Sequence, residues 1–168
     1  KVGQLRSNKP ATLYPTSSYV AALAASADGS AVVSSHVDGR VYRFRFDEPG
    51  QHVELVRHPC VPYALAWGEA ICAAGSDQIV CFYEADSGNV VGRFDYSRDE
   101  TEKEFTVAAF NPSGETVVVG SFNRLRVFGA ELQVGTWSER SKIDVENLYT
   151  VTALGWKADG SSLAVGSL

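Results

Sequence analysis

Apolar and polar positions fall in blocks along this chain, and the blocks repeat. Four segments open with an apolar run: 19–25 YVAALAA, 63–67 YALAW, 105–110 FTVAAF and 150–156 TVTALGW. A tight turn follows each of them: SADG at 26–29, Gly68-Glu69, NPSG at 111–114 and KADG at 157–160. Asp-Gly and Pro-Ser-Gly between apolar runs are hairpin signals, because glycine supplies the positive φ that such turns need. A second apolar run closes on a small residue, Ser35, Gly75, Gly120 or Gly166, at separations of 40, 45 and 46 residues. After the first three of these comes a short polar side chain, Asp38, Asp77 or Asn123, and then a run that reaches Phe44, Phe82 or Phe128. A more polar fourth run ends each unit: 53–57 VELVR, 90–94 VVGRF and 132–137 LQVGTW.

The first three runs of a unit are apolar on both faces, as a strand lying between two neighbouring sheets must be. The fourth mixes in charge, as an outer strand with solvent on one side does. Four strands per 40–46 residues, the outermost the wettest, describe one blade of a β-propeller. No window sustains a 3.6-residue period, so the chain is expected to be all-β: a WD40-like β-propeller fragment of about four blade-equivalents, with half-blades at both termini. In this reading 1–15 holds the last strands of a preceding blade, seen in 1–6 KVGQLR and 11–14 ATLY. Blades follow over 16–58, 59–98 and 99–148, and 149–168 supplies the first two strands of another. The stretch 138–148 SERSKIDVENL reads as a long irregular connection. A seven-bladed ring needs nearly twice this much chain, and there is no methionine at position 1 or elsewhere. The expectation is an excerpt of a longer protein, poorly soluble alone because sheet edges and a blade face would be bare.

Composition narrows the function. Against 15 Lys+Arg stand 20 Asp+Glu, a net charge of −5 over 168 residues, which suits solubility and not a nucleic-acid footprint. The longest uncharged stretch, Pro10 to Ala27, holds two prolines and cannot serve as an apolar membrane span. Three cysteines, Cys60, Cys72 and Cys81, form no CxxC pair and read as reduced thiols, with a disulfide or metal role as the alternatives.

Catalytic chemistry is hard to assemble from these residues. No glycine-rich loop leads into a helix with Lys beside Ser or Thr, and no GxSxG elbow is present. The histidines His36, His52 and His58 are scattered, and only His58 and Cys60 are close enough in sequence to suggest a shared metal. The turn 84–88 EADSG lacks the Asp box of propeller sialidases. No catalytic residue, cofactor or metal is assigned, and a non-enzyme is expected. Two charged features remain as binding candidates. The segment 95–104 DYSRDETEKE carries net charge −3 and joins an outer strand to the next inner one; Asp99, Glu100, Glu102 and Glu104 are its candidate contacts for a protein partner. Arg43 and Arg45, alternating with Tyr42, Phe44 and Phe46, make a weaker second patch that would touch phosphate head groups or an acidic protein, or pack its stems over a neighbouring blade.

The spacing resembles the WD-repeat family in a degenerate form. The family's Gly-His before the first strand and Trp-Asp at the end of the third are absent; Phe44, Phe82 and Phe128 stand where the Trp would be. Asp38, Asp77 and Asn123 match the family's turn Asp, and His58 lies where the family His does, placed to hydrogen-bond toward Asp77. Dispersed stretches carry a closer likeness: 1–9 KVGQLRSNK, 58–67 HPCVPYALAW, 94–99 FDYSRD, 123–128 NRLRVF and 147–161 NLYTVTALGWKADGS. Together they resemble the first propeller of a large peripheral subunit family of intraflagellar transport complex B. The resemblance implies a non-catalytic scaffold of ciliary transport trains, located in the cilium or flagellum and basal body on the cytoplasmic side. Its partners would be other complex B subunits and the rest of its own propeller and following domains; membrane contact is left open and nucleic acid is not expected. The alternative is a WD-repeat scaffold of another assembly, such as a vesicle coat or a signalling complex.

Overall fold

The computed structural model describes residues 2–3, 6, 10–12, 14–48, 50–133 and 135–168. They form sixteen strands and no helix. A short pair comes first, β1 (Val2–Gly3) with β2 (Pro10–Thr12). Three four-stranded antiparallel sheets follow, each a meander in chain order. The first is β3 (Val20–Ala25), β4 (Ala31–His36), β5 (Arg40–Arg45) and β6 (His52–Arg57). The second is β7 (Ala64–Trp67), β8 (Ile71–Ala74), β9 (Ile79–Tyr83) and β10 (Val90–Asp95). The third is β11 (Val107–Phe110), β12 (Thr116–Gly120), β13 (Arg124–Ala130) and β14 (Trp137–Asp144). The pair β15 (Val151–Trp156) and β16 (Leu163–Ser167) ends the chain. Of the strands expected at 1–6, 11–14 and 132–137, residues Lys1, Gln4, Leu5, Leu13 and Val134 lie outside the described residues.

The first strands of successive sheets lie side by side, β3 against β7, β7 against β11 and β11 against β15. Sheets that meet along their first strands and diverge toward their fourth are the wedges of a propeller. The core fills the space between wedges, and the third-run aromatics are its centre. Phe44, Phe82 and Phe128 are all buried. Phe82 stacks on Trp137 of the next sheet with ring centroids 4.4 Å apart and packs edge-on to Phe128 at 5.6 Å. The second sheet, covered on both sides, buries all of Ile71–Ala74, whereas Val20 and Leu23 of β3 are largely exposed.

The outer edge of the third sheet differs from the sequence expectation. The stretch 138–148 is not a long irregular loop: strand β14 runs through Asp144, pairing Arg124 with Asp144 and Leu125 with Ile143. The 132–137 run is mostly the turn before it, leaving 145–150 as the connection. The outer strand reads as loop because residues 140–144 are all exposed, Arg140, Lys142 and Asp144 among them, with no apolar alternation to mark it.

Candidate interaction face

In an antiparallel meander the turn between second and third strands lies at the same end as the connection from the fourth strand to the next sheet. Those two kinds of segment meet here, and the contact repeats. The His58 amide donates to the Gly39 carbonyl (2.8 Å), the Phe105 amide to Gly75 (3.1 Å) and the Val151 amide to Ser121 (3.2 Å). Each bond ties a turn of one sheet to the connection entering the next. It also explains the small residues closing the second runs. A Cβ on Gly75 would stand 2.3 Å from the Val61 carbonyl oxygen, and one on Gly120 2.8 Å from Val151 Cγ1. The Ser35 hydroxyl donates to the Pro62 carbonyl at 2.7 Å, whereas a Cβ on Gly166 would lie 3.3 Å from the Ala153 Cβ of its own paired strand.

The turn residues divide into two kinds. Asp38 Oδ1 and Asp77 Oδ1 each accept the amide two residues on, Arg40 and Ile79, at 3.2 Å. Asn123 is not their counterpart. Its φ of 55° places it with Gln78 (59°) and Gly39 (85°), one position later in the turn, in the left-handed region that Asn tolerates. From there its side-chain Oδ1 accepts the Tyr149 amide of the following connection, while its backbone carbonyl accepts the Val145 amide.

The acidic connection is held from below. Tyr96 and Phe105 tuck inward, and Asp99 accepts the amide and hydroxyl of Thr101. Glu102 points into the protein and is 1% exposed. Its carboxylate accepts from the Ser121 hydroxyl (2.7 Å), Arg126 Nε (2.6 Å) and Arg124 Nη1 (3.4 Å). Arg126 also lies over the Tyr96 ring at 3.6 Å and donates to Glu139 (2.7 Å), while Arg124 donates to Asp144 (2.6 Å). Asp99 Oδ2 is 3.5 Å from Arg124 Nη1 and 3.4 Å from Arg126 Nη2. Burial works against ionisation of Glu102, but the Ser121 hydroxyl and the Arg126 guanidinium outweigh it and hold the carboxyl below its usual range.

The four acids read as one contact surface are therefore split. Glu102 is excluded from any surface role by its burial, and Asp99 is occupied by two arginines; Glu100 and Glu104 are exposed. Glu104 and Lys103 flank a hollow of about 450 Å³ whose other walls are Ser76, Gln78, Phe122 and Thr150. Phe122, Tyr149 and Tyr63, all on connections and turns of this end, expose much of their surface. The acidic composition shows neither the hollow nor the arginine pair that holds Glu102. The available signal was Arg124 and Arg126 spaced two apart, hence on one face of an otherwise apolar strand.

Arg43 and Arg45 do not form an open patch. Both reach Asp86 Oδ1 of the second sheet, at 3.2 and 3.0 Å, and Arg43 also donates to the Ala85 carbonyl. They clamp two sheets at the opposite end. His58 is buried, with Nδ1 2.9 Å from the Tyr83 hydroxyl. Its Nε2 lies 3.6 Å from Asp77 Oδ2, beyond hydrogen-bond length, so the expected His58–Asp77 hydrogen bond is not formed.

Curated relatives are similar to this chain along nearly its whole length. A protein of Danio rerio named intraflagellar transport protein 172 homolog is 50% identical over 97% of the chain. Intraflagellar transport protein 172 of Chlamydomonas reinhardtii is 44% identical over all of it. Intraflagellar transport protein osm-1 of Caenorhabditis elegans is 33% identical, again over all of it. The chain spans about 10% of the length of each of these curated relatives. No protein-family model matches it. From end to end, the chain is homologous to a segment of intraflagellar transport protein 172.

Proposed function

We propose that this chain is part of a non-catalytic protein-interaction scaffold within an intraflagellar transport subunit, working in the cilium or flagellum and at its base on the cytoplasmic side. The wedges are completed into a ring by further chain of the same protein. The end that carries the turns and connections then docks a segment of another complex B subunit. The observation that carries this reading is the fixed connection 96–105. A segment ordered by a buried ion network, with Glu100 and Glu104 held outward and Glu104 beside the Phe122 hollow, presents its contacts without an ordering cost on binding. The complementary partner segment places an apolar side chain against Phe122 and a basic one on Glu104.

The test is pull-down of complex B subunits by full-length protein carrying Glu100→Lys and Glu104→Lys. Both side chains are exposed, so the melting temperature stays unchanged while recovery of the partner falls. Unchanged recovery would remove this end of the sheets from the interface.

A further inference from the structure

Two buried polar atoms face each other here without partners: His58 Nε2 and Asp77 Oδ2, 3.6 Å apart. Each cost the protein its hydration, and neither is repaid by a hydrogen bond. The thiol of Cys60 completes a triangle, its Sγ lying with one ligand atom each of His58 and Asp77 so that all are within 4.8 Å of one another. The sequence hinted only at His58 and Cys60; the turn after β8 adds the third group. Gly75 is what lets that turn come so close, because a Cβ there would be 2.8 Å from Cys60 Sγ.

We propose that His58 Nε2, Cys60 Sγ and Asp77 Oδ2 form a three-donor site for a divalent cation of the zinc class, with its fourth position open. The donor set of one imidazole, one thiolate and one carboxylate suits a borderline-soft ion and not magnesium or calcium, which take oxygen alone. An N···O separation of 3.6 Å is too long for a hydrogen bond yet near the edge of a tetrahedron whose metal–ligand bonds are about 2.0–2.2 Å. The outer shell is also present. The Tyr83 hydroxyl at 2.9 Å fixes the ring through Nδ1, and the Ile79 amide at 3.2 Å holds the other oxygen of Asp77, so both ligands are oriented toward the shared space. On binding, the Cys60 S–H proton leaves to solvent and the thiolate takes its place on the cation. The site would join the connection entering the second sheet to the turn within that sheet, stiffening the same end that the proposed docking uses.

The experiment is a Co²⁺ titration of reduced, chelator-stripped full-length protein, read by thiolate-to-cobalt charge-transfer absorption and compared with a Cys60→Ser variant to remove the contribution of other thiols. The expected result is a Cys60-dependent band that saturates at one Co²⁺ per chain and is bleached by Zn²⁺. Asp77→Asn, nearly isosteric, should weaken Co²⁺ binding about 10- to 100-fold while leaving the circular dichroism spectrum unchanged. A thermal shift on Zn²⁺ addition, larger in the unaltered protein than in Asp77→Asn at the same Zn²⁺ concentration, gives a second readout that does not depend on Cys60→Ser folding. Absence of a Cys60-dependent band, or equal Co²⁺ affinity in Asp77→Asn and the unaltered protein, overturns the site.

Discussion

Replacing Glu102 by Gln removes one negative charge from beneath the acidic connection with almost no change of shape. The carboxylate serves two arginines and a serine in a place water does not reach. Truncating one member of a buried ion pair typically costs about 3–5 kcal/mol, because the partner charge is left uncompensated. Two features of the structure lower that figure for Glu102→Gln. Arg126 keeps Glu139 and Arg124 keeps Asp144, and the amide oxygen can still accept one bond. What is lost is close to one charge-assisted hydrogen bond, about 2 kcal/mol. Hydrogen exchange of the full-length protein reads this locally. The Glu102 and Phe105 amides, bonded to the Asp99 and Gly75 carbonyls, should exchange about thirtyfold faster at constant chemistry, since about 1.4 kcal/mol is a factor of ten. Amides of β8 should not change. If the connection kept its protection in Glu102→Gln, the ion network would not be what orders it.

Other outcomes follow from the same geometry. The Glu102 carboxyl is held below its usual value of 4.5, so its contribution is complete above that pH and is lost as the pH falls through the lower folded-state value. Exchange rates of the unaltered protein and Glu102→Gln should therefore converge on acidification, and a gap that persisted at low pH would contradict the assignment. Gly75→Ala puts a methyl 2.3 Å from a backbone oxygen and should destabilise by about 1–3 kcal/mol, seen as a lowered melting temperature. Cys72 is buried and burial pushes its thiol up, while Cys60 is partly exposed. Alkylation of the native, metal-free protein should label Cys60 well before Cys72, and equal labelling would mean that the second sheet opens readily.

Much of the architecture was legible because it is written in backbone chemistry. Glycine and Asp-Gly turns, small residues where one sheet's turn meets the next sheet's connection, and a buried phenylalanine in each third strand all recur with the unit. The misread parts are those where a long-range partner decides. Strand β14 looks like a loop because half its neighbours are water; its pairing to β13 is what defines it. Glu102 sits among five acids and two bases in 95–104, and no local signal separates it from Glu100. Its burial is set by Arg124 and Arg126, more than twenty residues further on. Asn123 looks like Asp38 and Asp77, a short polar residue of the turn, yet its backbone occupies the neighbouring position. The His58–Cys60–Asp77 triangle combines the two situations. Its first two members are two apart in sequence, and its third depends on how closely Gly75 allows the turn to approach.

In the proposed assembly, the end bearing the turns between second and third strands and the connections between sheets is the one that meets other subunits. Lys103 stands exposed on that end, beside Glu104 in the wall of the hollow, whereas Lys157 lies in the β15–β16 turn at the other. Lysine-specific crosslinking of the assembled complex, read by mass spectrometry, compares them directly. Crosslinks from Lys103 to another subunit are the predicted result; intersubunit crosslinks confined to Lys157, with Lys103 joined only to its own chain, would contradict it.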